Sequence, residues 1–174
     1  MPVEDTCQTG MSDLLSEEWG LGRMKITRRH LPHWELEGST YYLTFCVLRG
    51  TLSRAERNLV LEHVKSGDGR FYALLGAIVM PDHAHAILKP KPNVALSRIV
   101  KGVKGVTARR VNQQRGARGP LWQDEYWDRI IRDQEELRQK LEYMLNNSVR
   151  KGLVEDPWRY DAWFFNEEAF ELRS

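Results

Sequence analysis

A pair of histidines separated by one residue is the feature of the sequence with the clearest chemical potential. His83 and His85 lie in the apolar run 82–89, whose composition is typical of a β-strand. Because side chains alternate along a strand, both imidazoles project from one face, and the small side chains of Ala84 and Ala86 project from the other. We expect the alanine face to pack against helices and the histidine face to be open.

Two neutral imidazoles at this spacing can bind one divalent cation, but a pair is an incomplete site that needs oxygen ligands from elsewhere. Ordinary hydrogen-bonding histidines are the alternative interpretation. The remaining histidines, His30, His33 and His63, fit that alternative. Whether the two histidines can form a metal site therefore depends on another segment that supplies a third ligand.

The predicted C-terminal helix, residues 134–151, offers such a ligand. Its buried stripe is formed by Leu137, Leu141, Met144 and Leu145. Tyr143 and Asn147 are one turn apart on the flank of this stripe, with Lys140 near them as a cation that attracts phosphate. The alternative for Tyr143 is a rim tyrosine that packs its ring and exposes its hydroxyl.

The elements that position these residues follow the order β-α-β-β-α-β, with one further helix at the end. Ser53, with Glu56 three residues later, predicts a capped helix start, and Asn93 is the expected cap of the next helix. This order predicts an α+β, ferredoxin-like fold: one antiparallel sheet with helices on one face and an additional C-terminal helix that carries Tyr143. RNA-binding domains share the order, so a binding module competes with an enzyme. Strands are predicted over residues 39–47, 70–80, 82–89 and 125–131.

Length and composition favour a single domain. The chain has 174 residues, and its hydrophobic share of 41% is enough for a core. We expect an acidic, mobile leader over residues 1–25, the functional domain over 26–155, and a tail of undetermined role over 156–174. No run approaches the roughly 20 apolar residues of a membrane span. The two cysteines, Cys7 and Cys46, are expected to be reduced in a cytoplasmic protein.

The positive charge of the chain is concentrated in its middle, which suggests a polyanionic partner. Residues 21–118 carry 18 basic and 6 acidic side chains, a balance of +12. The helix expected to begin at Asn93 has no acidic residue, although a solvated helix surface is an equally simple interpretation. Four tryptophans, Trp122, Trp127, Trp158 and Trp163, are candidates for either base stacking or the core. The candidate phosphate contacts are Arg98, Lys101, Lys104, Arg109, Arg110 and Lys140.

Four motifs in this order resemble a known family. They are MPDHAHAILKP at residues 80–90, TARRVN at the end of the basic helix, LWQDEYWDRIIRD, and EYMLNNSVRKGLV. Together, over about residues 30–155, they resemble the single-tyrosine transposases of the insertion-sequence 200 type. Within that family the sequence is most similar to the domesticated transposases associated with repetitive extragenic palindromes (REP).

The resemblance implies an activity and a set of roles. His83 and His85 would hold Mg²⁺ or Mn²⁺ together with Asn147, a position where many relatives of the mobile-element branch have Gln. Tyr143 would attack a phosphodiester of single-stranded or hairpin DNA, become joined to the 5′ phosphate and release a 3′ hydroxyl. The implied location is the cytoplasm, in association with the nucleoid, and the sequence does not decide between a monomer and a homodimer.

Two other functions compete with strand transfer. The first is a nucleic-acid binding module that regulates its own repeats without cleaving them. The second is a phosphohydrolase that uses His83 and His85, but it lacks the acidic ligands of two-metal sites, because strand alternation places Asp82 on the opposite face.

Overall fold

Strand pairing builds one main sheet and a separate hairpin in the computed structural model, which describes residues 24–28 and 32–168. The expected leader lies almost entirely outside the described residues. The strands are β1 (Met24–Arg28), β2 (Pro32–Leu36), β3 (Thr40–Cys46), β4 (Tyr72–Val79), β5 (His83–Pro90), β6 (Trp127–Ile131) and β7 (Trp163–Phe165). The helices are α1 (Arg54–Ser66), α2 (Leu96–Arg115) and α3 (Gln134–Arg150), with a 3₁₀ turn at Pro157–Arg159.

The main sheet is antiparallel and has the order β6-β3-β5-β4-β7. Its first four strands, with α1 and α2 between them in sequence, form the expected β-α-β-β-α-β unit, so the predicted fold class is confirmed. Two additions were not predicted. The β1-β2 hairpin precedes the unit, and β7 pairs with β4, so the sheet extends beyond residue 155, where the sequence suggested a tail.

The helices α1 and α2 cover one face of the sheet. Ala86 and Leu88 of β5 line a small gap there together with Val64 of α1 and Val100 of α2. The apolar row of β5 therefore packs under helices, as its alternation predicted. Because α1 and α2 occupy this face, the opposite face holds the two histidines.

The start of α2 differs from the prediction. Asn93 does not cap the helix, because its backbone is left-handed, with φ 63°, a conformation that asparagine tolerates in turns. The cap is Ala95, whose side chain makes no capping hydrogen bond. Glu35, at the end of the first hairpin, accepts a hydrogen bond from the backbone N–H of Ser97 at 3.1 Å instead. The carboxylate of Glu35, which is distant in sequence, thus accepts from a backbone N–H at the start of α2 that the cap residue leaves without a partner.

The capping box at the start of α1 is present as predicted and also joins the two helices. Ser53 and Glu56 exchange the two hydrogen bonds of the box. Glu56 is buried and forms a forked ion pair with Arg115 at the end of α2, with distances of 2.6 Å to Nε and 2.8 Å to Nη2. The hydrogen bond from Arg115 is the largest cause that lowers the pKa of Glu56, from 4.5 to about 2.

This ion pair predicts a pH-dependent stability. Since the folded pKa of Glu56 lies below its ordinary value, its stabilisation is present above pH 4.5 and is lost as pH falls toward 2. We expect Glu56→Gln to lower the free energy of unfolding by about 2 kcal/mol at pH 7, and by much less at pH 2.5. Urea unfolding at both pH values measures this. A loss of the same size at both would show that the charge of Glu56 does not stabilise the fold.

Two expectations about the environment of the chain meet different outcomes. Within residues 24–28 and 32–168, no helix is both long and apolar enough to cross a membrane. The expectation of reduced cysteines also concerns Cys7, which lies outside the described residues, so it stays a prediction.

Candidate functional site

The two histidines of β5 form the centre of a polar cluster on the sheet face opposite α1 and α2. Their rings are 4.6 Å apart between centroids and lie at 67° to each other. His83 is 8% exposed and His85 is 7% exposed. The expectation of an open histidine face is therefore wrong, because side chains of α3 and β3 cover the pair.

Two hydroxyls of β3 hold His85. Strand register places Thr44 opposite His85, and the Nδ1 atom of His85 is 2.8 Å from Thr44 Oγ1 and 3.0 Å from Tyr42 Oη. The ring of Tyr42 also stacks on the imidazole at 5.2 Å. Burial lowers the pKa of His85 well below its usual value, so the ring is neutral. With Nδ1 engaged, Nε2 is the nitrogen available to a cation.

A carboxylate holds His83 in the same way. Asp82 Oδ1 is 2.7 Å from His83 Nδ1, and this hydrogen bond is the main cause that lowers the pKa of Asp82. The prediction that Asp82 lies on the opposite face is wrong, because Asp82 precedes the first residue of β5 and strand alternation does not apply to it. Lys151 Nζ lies 4.0 Å from the second oxygen of Asp82. An ionised carboxylate at Nδ1 leaves Nε2 of His83 as the ligating atom.

Asn147 of α3 completes the cluster. Its side chain is 5% exposed, and its amide nitrogen is 3.1 Å from His83 Nε2. Two imidazole nitrogens and one amide oxygen suit a divalent cation, once the amide of Asn147 turns its oxygen toward the ion in place of the nitrogen that faces His83 Nε2. Both imidazoles have the outer partners that such ligands usually have. Among the described residues, no group of three or more His, Cys, Asp and Glu could hold a metal. The amide of Asn147 is thus the third ligand-type side chain of this cluster, which could hold a divalent cation.

Tyr143 borders this cluster and remains accessible. Its side chain is 44% exposed, and its ring centroid is 6.1 Å from that of His85. Lys140 Nζ lies 5.1 Å from the ring centroid of Tyr42 and 6.0 Å from that of Tyr143. A nucleophile for a large substrate must reach beyond the protein surface, and the exposure of Tyr143 meets that requirement.

The packing of α3 against β4 sets the position of Tyr143 and Asn147. Leu137, Leu141 and Met144 are buried, as the predicted stripe requires, whereas Leu145 is only partly buried. A Cβ atom at Gly76 would lie 2.7 Å from Leu141 Cδ2, so a larger residue there would require the Leu141 side chain to shift. Asp133 caps the helix through the backbone N–H of Glu136 at 2.8 Å. The helix is therefore fixed both along its length and at its start.

The candidate phosphate contacts lie on two different sides of the molecule. Lys140 borders the histidine cluster, whereas the five cations of α2 belong to a helix on the opposite sheet face. Of these, Arg98, Lys101, Arg109 and Arg110 are exposed. Lys104 Nζ donates to the backbone carbonyl of Asp124 at 2.7 Å. A single DNA strand that touches both sets must pass around the sheet.

Sequence reasoning missed four residues of the site: Tyr42, Thr44, Asp82 and Arg150. Tyr42 and Thr44 alternate in a predicted strand and share a face, but only the register of β3 against β5 shows which residue they meet. Arg150 lies seven residues after Tyr143, a spacing that returns to the same helix face.

Of the four tryptophans that the sequence left open, one lies in the core, one is exposed, and Trp127 and Trp163 are half-buried. Trp122 belongs to the core, where its indole N–H donates to Thr107 Oγ1 at 2.9 Å. Trp158 is 66% exposed.

Comparisons with known proteins agree with the motifs. The family model described as "Transposase IS200 like" matches residues 49–147, a range that includes His83, His85, Tyr143 and Asn147. A Haemophilus influenzae protein described as a REP-associated tyrosine transposase is 26% identical over 103 residues. That alignment covers 52% of this chain and 58% of the relative, so the chain spans less than two thirds of that relative's length.

A solved structure shows the same fold. It is a REP-associated tyrosine transposase bound to a REP hairpin, with a TM-score of 0.63, 18% sequence identity, and coverage of 84% of this chain and 88% of that chain. A second structure, described as a transposase from Deinococcus radiodurans R1, is less similar. It has a TM-score of 0.41, 20% identity, and coverage of 74% and 98%.

Proposed function

Because the chain belongs to the family of IS200-like transposases, we propose that it cleaves and rejoins single-stranded DNA through a covalent bond to Tyr143. The observation that carries the proposal is the convergence of one accessible tyrosine and three buried ligand-type side chains. Tyr143 lies 6.1 Å from His85 between ring centroids, and Asn147 lies 3.1 Å from His83.

The reaction is a transesterification. Tyr143 Oη attacks the phosphorus of a phosphodiester, the bond from phosphorus to the 3′ oxygen breaks, and the departing oxygen takes up a proton as a 3′ hydroxyl. The phenol proton is released in the same step, so charge and protons balance. The 5′ phosphate stays on the tyrosine, and attack by another 3′ hydroxyl reverses the step and joins strands without a nucleotide cofactor.

Three residues are proposed to hold Mg²⁺ or Mn²⁺ through His83 Nε2, His85 Nε2 and the amide oxygen of Asn147. The ion would supply charge that polarises a nonbridging phosphate oxygen. Asp82 orients His83, and Thr44 and Tyr42 orient His85, so both imidazoles keep their Nδ1 atoms engaged. Burial also keeps His85 neutral, which is the form that can ligate a cation.

The proposed substrate is a DNA hairpin of the repetitive extragenic type. One structural relative is bound to a REP hairpin, and another relative is described as REP-associated. Lys140 lies where it can contact phosphates next to Tyr143, and the exposed cations of α2 can contact more distant ones.

A hairpin with single-stranded flanks, incubated with Mn²⁺ or with a chelator, tests this proposal. We expect a covalent protein–DNA band that survives denaturation and requires the ion. A non-cleaving module that regulates its repeats would bind the hairpin without forming the band, and a phosphohydrolase would cut it without forming the band.

The cations of α2 make a separate prediction about affinity. Changing Lys101, Lys104, Arg109 and Arg110 together to Ala should weaken binding to related and unrelated single strands alike, because phosphate contacts do not read sequence directly. The slope of log affinity against log salt should flatten by about 0.7 for each phosphate that is no longer neutralised. We expect this to affect two or three phosphates, since not all four side chains can face one strand. An unchanged slope would mean that these four side chains of α2 stay in solvent and do not contact phosphates in the complex.

A further inference from the structure

The side chain of Arg150 lies against the proposed nucleophile. Its guanidinium carbon is 4.1 Å from the ring centroid of Tyr143, and its Nη2 atom donates to the backbone carbonyl of Tyr143 at 3.5 Å. Neither the sequence motifs nor the resemblance assigns this arginine a role.

Helix geometry explains how Arg150 reaches the ring. Seven residues correspond to nearly two turns, so Arg150 lies on the same helix face as Tyr143, about 10 Å further along the axis. Helical side chains lean toward the N-terminus of the helix, which directs a long arginine side chain back over the tyrosine. The contact is thus a direct product of the i, i+7 spacing on α3.

Two cations lie beside the ring of Tyr143. Arg150 lies C-terminal to the ring on α3, and Lys140 lies one turn N-terminal to it at 6.0 Å. In the part of the chain that the structure describes, no carboxylate lies within salt-bridge distance of Arg150. By contrast, Arg138 of the same helix pairs with Glu135 and Glu142. Arg150 is also exposed, so its remaining N–H groups can meet a ligand.

We propose that Arg150 binds the phosphate that Tyr143 attacks. The proposal rests on the proposed function, and it adds a phosphate-binding residue to the site. A guanidinium over the ring, with one N–H on the backbone carbonyl of Tyr143, has further N–H groups that can donate to nonbridging oxygens of a phosphate at the tyrosine.

The charge changes during the reaction suit a fixed cation at this position. The phosphodiester carries one negative charge before the attack and one after it, on the phosphotyrosine diester. Additional negative charge develops on the phosphoryl oxygens between these two states, when the attacking and leaving oxygens are both partly bonded. Arg150 neither gains nor loses a proton; it neutralises this charge and keeps the ring of Tyr143 in place.

A scan with single methylphosphonate linkages tests the proposal. Each substitution removes the charge of one phosphate in a hairpin strand, and binding is measured to the Tyr143→Phe variant, with and without Arg150→Gln. Phe keeps the ring on which Arg150 stacks and prevents cleavage. We expect Arg150→Gln to weaken binding of the unmodified strand about tenfold. When the methylphosphonate replaces the phosphate that Arg150 contacts, the same substitution should weaken binding by less than about twofold.

The bond cut by the wild-type protein, mapped separately, must coincide with that phosphate. Arg138→Gln is the matched control from the same helix and should show no dependence on position. The role of Arg150 is wrong if the wild type cleaves the DNA but Arg150→Gln does not weaken binding. It is also wrong if Arg150→Gln weakens binding equally at every methylphosphonate position. A single sensitive phosphate, combined with no covalent product from the wild type, would contradict the proposed function while leaving a phosphate site at Arg150.

Discussion

Tyr143→Phe is expected to eliminate the covalent protein–DNA product while DNA affinity stays within a few-fold. The substitution removes only the hydroxyl, and the ring that contacts His85, Lys140 and Arg150 remains. Loss of a nucleophile should reduce product formation by at least about 1,000-fold. Denaturing gels with labelled DNA measure the product, and filter binding measures the affinity.

Tyr126→Phe is the control for this experiment. Tyr126 is the other tyrosine within the four sequence motifs and packs partly buried against the core. Its substitution should leave the covalent product in place. If the product persists in Tyr143→Phe and disappears in Tyr126→Phe, the assignment of the nucleophile to α3 is wrong.

The second large effect concerns the imidazole pair. Changing His83 and His85 together to Ala should abolish cleavage and weaken Mn²⁺ binding by more than about 100-fold, because two of the three proposed ligands disappear. Isothermal titration of Mn²⁺ against the free protein measures the binding without any contribution from DNA.

His63→Ala, a histidine of α1 on the other side of the sheet, is the matched control and should bind Mn²⁺ as the wild type does. Because His83 and His85 are buried, thermal unfolding must show that the double variant is folded. The variant Asn147→Ala, which keeps both imidazoles, provides a second route to the same test. Undiminished Mn²⁺ affinity in a folded double variant would remove these histidines from the metal site.

The parts of the site that could be predicted from sequence are those set by local periodicity. Strand alternation predicts that His83 and His85 share a face, and the helical period predicts that Tyr143 and Asn147 lie one turn apart on a flank. The order of elements predicts the four-strand unit correctly, because β3, β4 and β5 carry apolar or β-branched runs. The capping box at Ser53 is also local, and the structure contains it as predicted.

The parts that could not be predicted depend on pairing between distant segments. Thr44 meets His85 only because β3 and β5 pair in one particular register. Burial of the histidines depends on the packing of α3 against the sheet, where Leu141 lies against Gly76. Asp82 was misplaced for a different reason: a strand rule was applied to a residue one position before the strand begins. Each failure lies where tertiary packing, or an element boundary, decides the outcome.

The proposed reaction joins Tyr143 to a 5′ phosphate of single-stranded DNA. The most direct measurement uses a hairpin labelled at one end or the other, Mn²⁺, and mass spectrometry of the digested covalent product. We expect the tyrosine to retain the DNA on the 3′ side of the cut through its 5′ phosphate, the released strand to end in a 3′ hydroxyl, and the modified peptide to contain Tyr143. A nucleotide attached to another residue, a 3′-phosphate linkage, or cut DNA with no protein attached would contradict the proposed reaction.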